Sequence, residues 1–229
     1  MLDLLGLKGL PDHKIRIEAT GHDSMREYEQ YKFQLIREGE MPVPCILIMP
    51  SRANADSPIE LRLQEEGKGT YLSEYANFAA ALTEGKILLL ADLRGLGETT
   101  DPAFYTDAKY WNREYRNAMI SMHIGRPIMG QRVVDILTLL DFCSEHELLK
   151  GHPVKVFANG IYGPVAIHAA YLDERINSVE IKHSMKTWKE YIERPMQWDM
   201  YSNVLYGALK YYDLPDLIRL SNCPIRFAD

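Results

Sequence analysis

Residues 86–92 read Lys-Ile-Leu-Leu-Leu-Ala-Asp, an apolar run with no polar side chain inside it. A half-buried strand alternates polar with apolar residues, because successive side chains point to opposite faces. An unbroken run too short for a stable helix therefore predicts a strand buried on both faces, the position of a central strand in a parallel sheet. Parallel strands cannot be joined by tight hairpins; each needs a crossover, usually a helix. This one segment commits the chain to helices packed against a sheet.

The flanking sequence agrees. Residues 14–19 and 31–36 alternate polar with apolar, and Cys45-Ile46-Leu47-Ile48-Met49 follows, ended by Pro50. These are expected to be early strands joined by hairpin-like turns, the second through Glu38-Gly39-Glu40. Another strand is expected over 58–63. A helix is expected from about Tyr71, where Leu72, Tyr75, Phe78, Ala79 and Leu82 repeat at helical spacing until Gly85 stops it. Residues 98–125 are expected to be irregular. Val133, Val134, Ile136, Leu137 and Leu140 mark an amphipathic helix over 131–142. Residues 154–158 read as a short buried strand, Pro164 as the opening of a helix, and 179–181 as a further strand. The expected fold is one α/β domain over 1–229: a mostly parallel sheet with helices on both faces and antiparallel strands at its N-terminal edge. Residues 224–229 look like the start of one more strand, so the C-terminal part of such a fold is expected to be truncated.

Composition excludes several classes of function. Of the 229 residues, 46% are hydrophobic and 25% charged, as in ordinary globular domains. The net charge of −6, with no run of Lys or Arg, gives no support for a nucleic-acid partner. No apolar stretch is long enough to span a bilayer. Cys45, Cys143 and Cys223 form no CxxC pair, so neither a metal nor a redox cofactor is expected, and two of them sit in apolar runs as core residues. The N-terminus Met1-Leu2-Asp3 has no signal-peptide pattern, which leaves the compartment open.

Four segments carry a resemblance. The first is Leu89-Leu90-Ala91-Asp92-Leu93-Arg94-Gly95-Leu96-Gly97-Glu98, a buried strand running into a D-x-R-G-x-G turn. The second, residues 154–170, takes the place of a strand–elbow–helix unit around Ala158-Asn159-Gly160-Ile161-Tyr162-Gly163. Residues 124–137 lie between them, and 203–217 complete the order. Over roughly residues 30–229 the chain resembles the acetyl-xylan-esterase-related branch of the α/β-hydrolases, found among bacterial polysaccharide-degrading proteins. The resemblance implies a Ser–His–Asp/Glu triad, deacetylation of sugar esters and an exported parent protein.

The triad is where the pattern breaks. A working G-x-S-x-G elbow holds serine on a strained strand-to-helix turn beside backbone N–H groups that receive the oxyanion. Here Gly160 takes the nucleophile position, and glycine has no side chain with which to form an acyl-enzyme. Tyr162 is a poorer reading, because tyrosine has no neighbouring base there. The resemblance places the acid at Asp229 and a histidine after it, yet Asp229 is the last residue. His168 reads as a structural histidine. His183 and Ser184 follow a strand, but adjacent side chains on a strand point apart, which disfavours Ser184 as nucleophile. The oxyanion region falls on Gln64, Glu65 and Ile161; Glu65 and Glu66 read as a solvated acidic loop that would oppose a developing oxyanion. Adjacent carboxylates cannot flank a glycosidic bond from two sides. Asp213 and Asp216 around Pro215 read as a helix cap, and Asp92 with Arg94 as fixing their turn.

The expected function is therefore an α/β-hydrolase-like domain that is catalytically inactive as it stands. One alternative is an active carbohydrate esterase with a non-standard nucleophile or a further C-terminal segment. Another is a protein–protein interaction module using unpaired sheet edges. The partners expected are a carbohydrate ester or a neighbouring domain of the same protein.

Overall fold

The structure is a computed structural model and describes residues 1–73, 76–102, 114–194 and 201–228. Eight strands form one sheet: β1 (Arg16–Ser24), β2 (Tyr28–Ile36), β3 (Val43–Pro50), β4 (Ile59–Leu63), β5 (Ile87–Ala91), β6 (Val154–Asn159), β7 (Ile176–Lys182) and β8 (Ile225–Ala228). Their spatial order is β1-β2-β3-β5-β4-β6-β7-β8. The first three pair antiparallel, and β3 meets β5 antiparallel. From β5 onward all pairs are parallel. The helices are α1 (Lys68–Ser73), α2 (Ala76–Thr83), α3 (Tyr115–His123), α4 (Ile128–Glu145), α5 (Tyr162–Leu172), α6 (Trp188–Glu193) and α7 (Leu214–Leu220).

The central strand is as the apolar run requires. Every residue of β5 is buried, with Leu89 and Ala91 in the main core and Leu88 and Leu90 in a second cluster under Tyr71, Phe78 and Leu82. The main core lies on the other side of the sheet, between it and α4 and α5. Leu5 is fully buried there, and its backbone packs so closely on Gly130 that a β-carbon on that residue would overlap the Leu5 carbonyl.

Several expectations need correction. The strand at 154–158 is not buried on both faces: Val154, Val156 and Ala158 are buried, whereas Lys155, Phe157 and Asn159 are half-buried. The sequence Val-Lys-Val-Phe-Ala-Asn alternates accordingly, and β7 repeats the pattern with Val179 and Ile181 inward. The helix expected from Tyr71 starts earlier, at Lys68: its described residues are α1 and α2, and Tyr75 lies outside the described residues. The stretch 98–125 contains α3, whose Ala118 and Ser121 are buried against its neighbours. The amphipathic helix expected over 131–142 extends in both directions to become α4. Pro164 lies inside the first turn of α5 rather than opening it.

Buried ion pairs lock the crossovers. Asp92, at the end of β5, accepts from the Lys68 backbone N–H (2.7 Å), Lys68 Nζ (2.7 Å) and the Glu98 N–H (2.9 Å). Gly97 is required there, because a β-carbon would fall 2.6 Å from Asp92 Oδ1. Arg94 reaches Asp135 of α4 and Glu40, which holds the turn as expected. Arg132, fully buried, donates to the Arg94 carbonyl and to both Glu114 oxygens. Asp213 and Asp216 form the capping box of α7.

Candidate functional site

Strand register builds the site. In the β4–β6 pair, Leu63 lies opposite Ala158. Extending both parallel strands by two residues brings Glu65 level with Gly160, and by one brings Gln64 level with Asn159. The Asn159 amide donates to Gln64 Oε1 at 3.2 Å. Gly160 then breaks the strand with φ +60°, a left-handed conformation that glycine takes at little steric cost. Its N–H donates to the Lys182 carbonyl of β7 (3.0 Å), and α5 begins two residues later. This is a strand–turn–helix elbow at the carboxyl end of the sheet, with Gly160 at its apex.

The space above the apex is occupied. A β-carbon built on Gly160 would overlap Glu65 Oε2 and lie 3.0 Å from Glu65 Cδ. The same oxygen accepts from the Ile161 N–H at 3.4 Å, a long hydrogen bond. In an acting elbow that N–H would face a substrate oxygen. Glu65 thus turns inward onto the elbow and is half-buried; of the acidic pair expected to be solvated, only Glu66 is exposed.

The other candidates do not join this group. His183 is exposed with φ +50°, while Ser184 turns the opposite way against α5, so close that a β-carbon on Gly163 would lie 2.7 Å from the Ser184 β-carbon. The Ser184 hydroxyl is buried and makes no hydrogen bond among the described residues. Asp229 lies outside the described residues. Tyr162 is fully buried, and loss of solvent pushes its phenol well above the usual range, which keeps it protonated.

His168 is accounted for by structure. Its Nδ1–H donates to the Pro164 carbonyl (2.7 Å), which leaves Nε2 to accept from the Tyr212 hydroxyl (3.0 Å). A neutral imidazole satisfies both contacts, and burial pushes its pKa down to about 4. Cys45 and Cys143 are buried in the core; loss of solvent raises both thiols, that of Cys143 to about 12. Among the described residues no cluster of three or more His, Cys, Asp or Glu side chains could hold a metal ion, and no helix is long and apolar enough to cross a membrane.

No family model matches the sequence, and no curated protein matches it. Solved structures do match. A Bacteroides fragilis protein that carries the acetyl xylan esterase name superimposes with a TM-score of 0.82 at 13% identity over 100% of this chain. The fold is that of the acetyl xylan esterases. This chain spans 64% of the length of the Bacteroides protein. Acetyl xylan esterase 1 from Thermoanaerobacterium matches with a TM-score of 0.60 at 14% identity, covering 93% of this chain and 72% of the other. A glucuronoyl esterase from Solibacter usitatus matches at 0.61 and 12% identity, covering 94% and 68%. At such identities the likeness is one of fold, and the chemistry has to be argued from the residues at the elbow.

Sequence reasoning expected the strand-to-helix turn at Gly160, but not the contact between Glu65 and Gly160. The available signal was positional: Glu65 and Gly160 each stand two residues beyond the core-facing ends of neighbouring strands.

Proposed function

We propose that this chain is an α/β-hydrolase-fold domain related to carbohydrate esterases that does not hydrolyse esters through its elbow. One observation carries the reading: the Glu65 carboxylate fills the space where the side chain of residue 160 would stand and takes up the Ile161 N–H. An acyl transfer needs a nucleophile at that point and donors free to receive the oxyanion. Here the first is a hydrogen atom. The donor faces a carboxylate, whose negative charge repels the charge that would develop on a substrate oxygen. The esterase names of the structural neighbours supply the ligand class of the parent site, a carbohydrate ester, which this domain would hold without cleaving, alone or beside a neighbouring domain of the same protein.

The test is hydrolysis of p-nitrophenyl acetate. The expected result is no turnover above buffer. Enzyme-dependent turnover abolished by Ser184→Ala would overturn the reading and establish Ser184 as the nucleophile.

A further inference from the structure

The face of the sheet opposite α4 and α5 carries polar side chains in rows set by register. Arg62 of β4 lies level with Phe157 of β6, Phe157 with Glu180 of β7, and Glu180 with Arg226 of β8. The next row towards the carboxyl ends sets Asn159 level with Lys182. The residues that alternate with them, Leu63, Val156, Ala158, Val179 and Ile181, belong to the core on the other face. A cavity of about 200 Å³ opens among these rows, lined by Arg62, Gln64, Phe157, Asn159, Glu180 and Lys182 together with Ala158 and His183. It lies towards the carboxyl ends of β4, β6 and β7, the end of an open α/β sheet at which ligands bind. Drug-sized sites measure roughly 300–1,000 Å³, so this one has room for a single small ring.

The lining is held in place and chemically mixed. Arg62 donates through Nε to Glu60 Oε2 at 3.0 Å, and its guanidinium carbon stands 4.4 Å from the Phe157 ring centroid and 5.5 Å from that of Tyr71. Its Nη1 makes no hydrogen bond among the described residues. The Asn159 amide donates to Gln64 Oε1, which leaves the Asn159 oxygen and the Gln64 amide N–H groups without a partner among the described residues. Glu180 and Lys182 are 3.8 Å apart, a solvated contact that leaves both open to a ligand. The cavity thus offers donors at Arg62, Gln64 and Lys182, acceptors at Asn159 and Glu180, and an apolar surface at Phe157.

That combination discriminates between ligands. An anion would meet the Glu180 carboxylate, and a cation would meet Arg62 and Lys182, so a net charge of either sign is penalised. A purely apolar ligand would desolvate the polar groups without pairing them. A hydroxyl both donates and accepts, so a ligand with several of them can use donors and acceptors that stand side by side. We propose that this cavity is a binding subsite for one neutral sugar ring. Its hydroxyls are shared among Asn159, Gln64, Glu180 and Lys182, and its C–H surface lies against Phe157. The inference deepens the reading of the preceding subsection and rests on it for the general class of ligand, a carbohydrate. Cleavage at the elbow plays no part in it.

The experiment is a titration of the intact isotope-labelled chain, followed through the side-chain amide resonances of Asn159 and Gln64. The probes are methyl β-D-xylopyranoside, glucuronate, protonated glucosamine and cyclohexanol. The xyloside is expected to give saturable shifts at millimolar concentration, the two charged sugars to bind about two- to fivefold more weakly, and cyclohexanol to give no saturation. Asn159→Ala should weaken xyloside binding about two- to tenfold. Glu180→Gln should narrow the gap between glucuronate and the xyloside, and Lys182→Gln the gap for glucosamine; a merely structural role for these residues would leave the ranking as it was. Absence of saturable xyloside shifts would overturn the proposal. So would cyclohexanol binding as tightly as the xyloside, or a ranking unchanged in both charge variants. Shifts larger at the Ile161 N–H than at the two side-chain amides would also refute it, by placing the sugar at the elbow. The p-nitrophenyl acetate assay tests the elbow separately, so the two readings can fail independently.

Discussion

Replacing Gly160 by serine puts back the hydroxyl that the fold would need, and the structure sets the cost. The first contribution is conformational: a non-glycine residue held at φ +60° costs about 1–2 kcal/mol. The second depends on Glu65. The new β-carbon overlaps its Oε2, so the carboxylate has to swing away and release the Ile161 N–H. That contact is long, and losing it costs about 1 kcal/mol. Gly160→Ser is therefore expected to destabilise the chain by about 2–3 kcal/mol when Glu65 is present and by about 1–2 kcal/mol in a Glu65→Ala background. The assay is urea unfolding of the wild type, both single variants and the double variant. It should show a coupling of about 1 kcal/mol, equivalent to about 2–4 °C in Tm for a domain of this size. Additivity within about 0.3 kcal/mol would refute the claim that Glu65 occupies the place of residue 160. None of the four proteins should hydrolyse p-nitrophenyl acetate, because His168, the buried histidine within the elbow helix, is already committed to Pro164 and Tyr212.

Three other consequences are open to measurement. His168 titrates near 4 in the folded chain and near 6.5 when unfolded, so between those values the unfolded state holds the additional proton. Its contribution is complete above about pH 6.5 and is lost as pH falls towards 4, with about 2 kcal/mol gone by about pH 5. His168→Phe should remove that part of the pH dependence of unfolding, and an unchanged slope would refute the assignment. Asp92→Ala leaves the Lys68 ammonium buried without its buried partner and should destabilise by about 3–5 kcal/mol in the same assay; a loss below about 1 kcal/mol would mean that Glu98 alone suffices. Arg132→Met should cost about 3–5 kcal/mol by breaking the buried pair with Glu114, whereas adding Glu114→Leu should recover part of the loss; equal stability of the single and double variants would contradict the pairing.

Much of the architecture was legible because burial leaves a periodic trace in the sequence. The unbroken Ile87–Ala91 run could only be a strand covered on both sides, and it is. The D-x-R-G-x-G turn was readable because its ion pairs lie near a glycine that no larger residue can replace. The strand after residue 153 was misread for the opposite reason. Its sequence Val154–Asn159 alternates, and the alternation leaves one face half open. Arg132 within α4 carries no local sign of its partner, since Glu114 stands 18 positions earlier.

The sequence alone determined the fold class and the strand-to-helix turn at Gly160, since each depends on residues within a few positions of one another. Only the tertiary structure decided what stands against that turn. Glu65 and Ile161 are 96 positions apart, and they meet because the sheet order sets β4 directly beside β6 in a register that carries both chain ends to the same height. Register is fixed by the burial of whole strands, so no local pattern at Glu65 could have announced which backbone N–H it would reach.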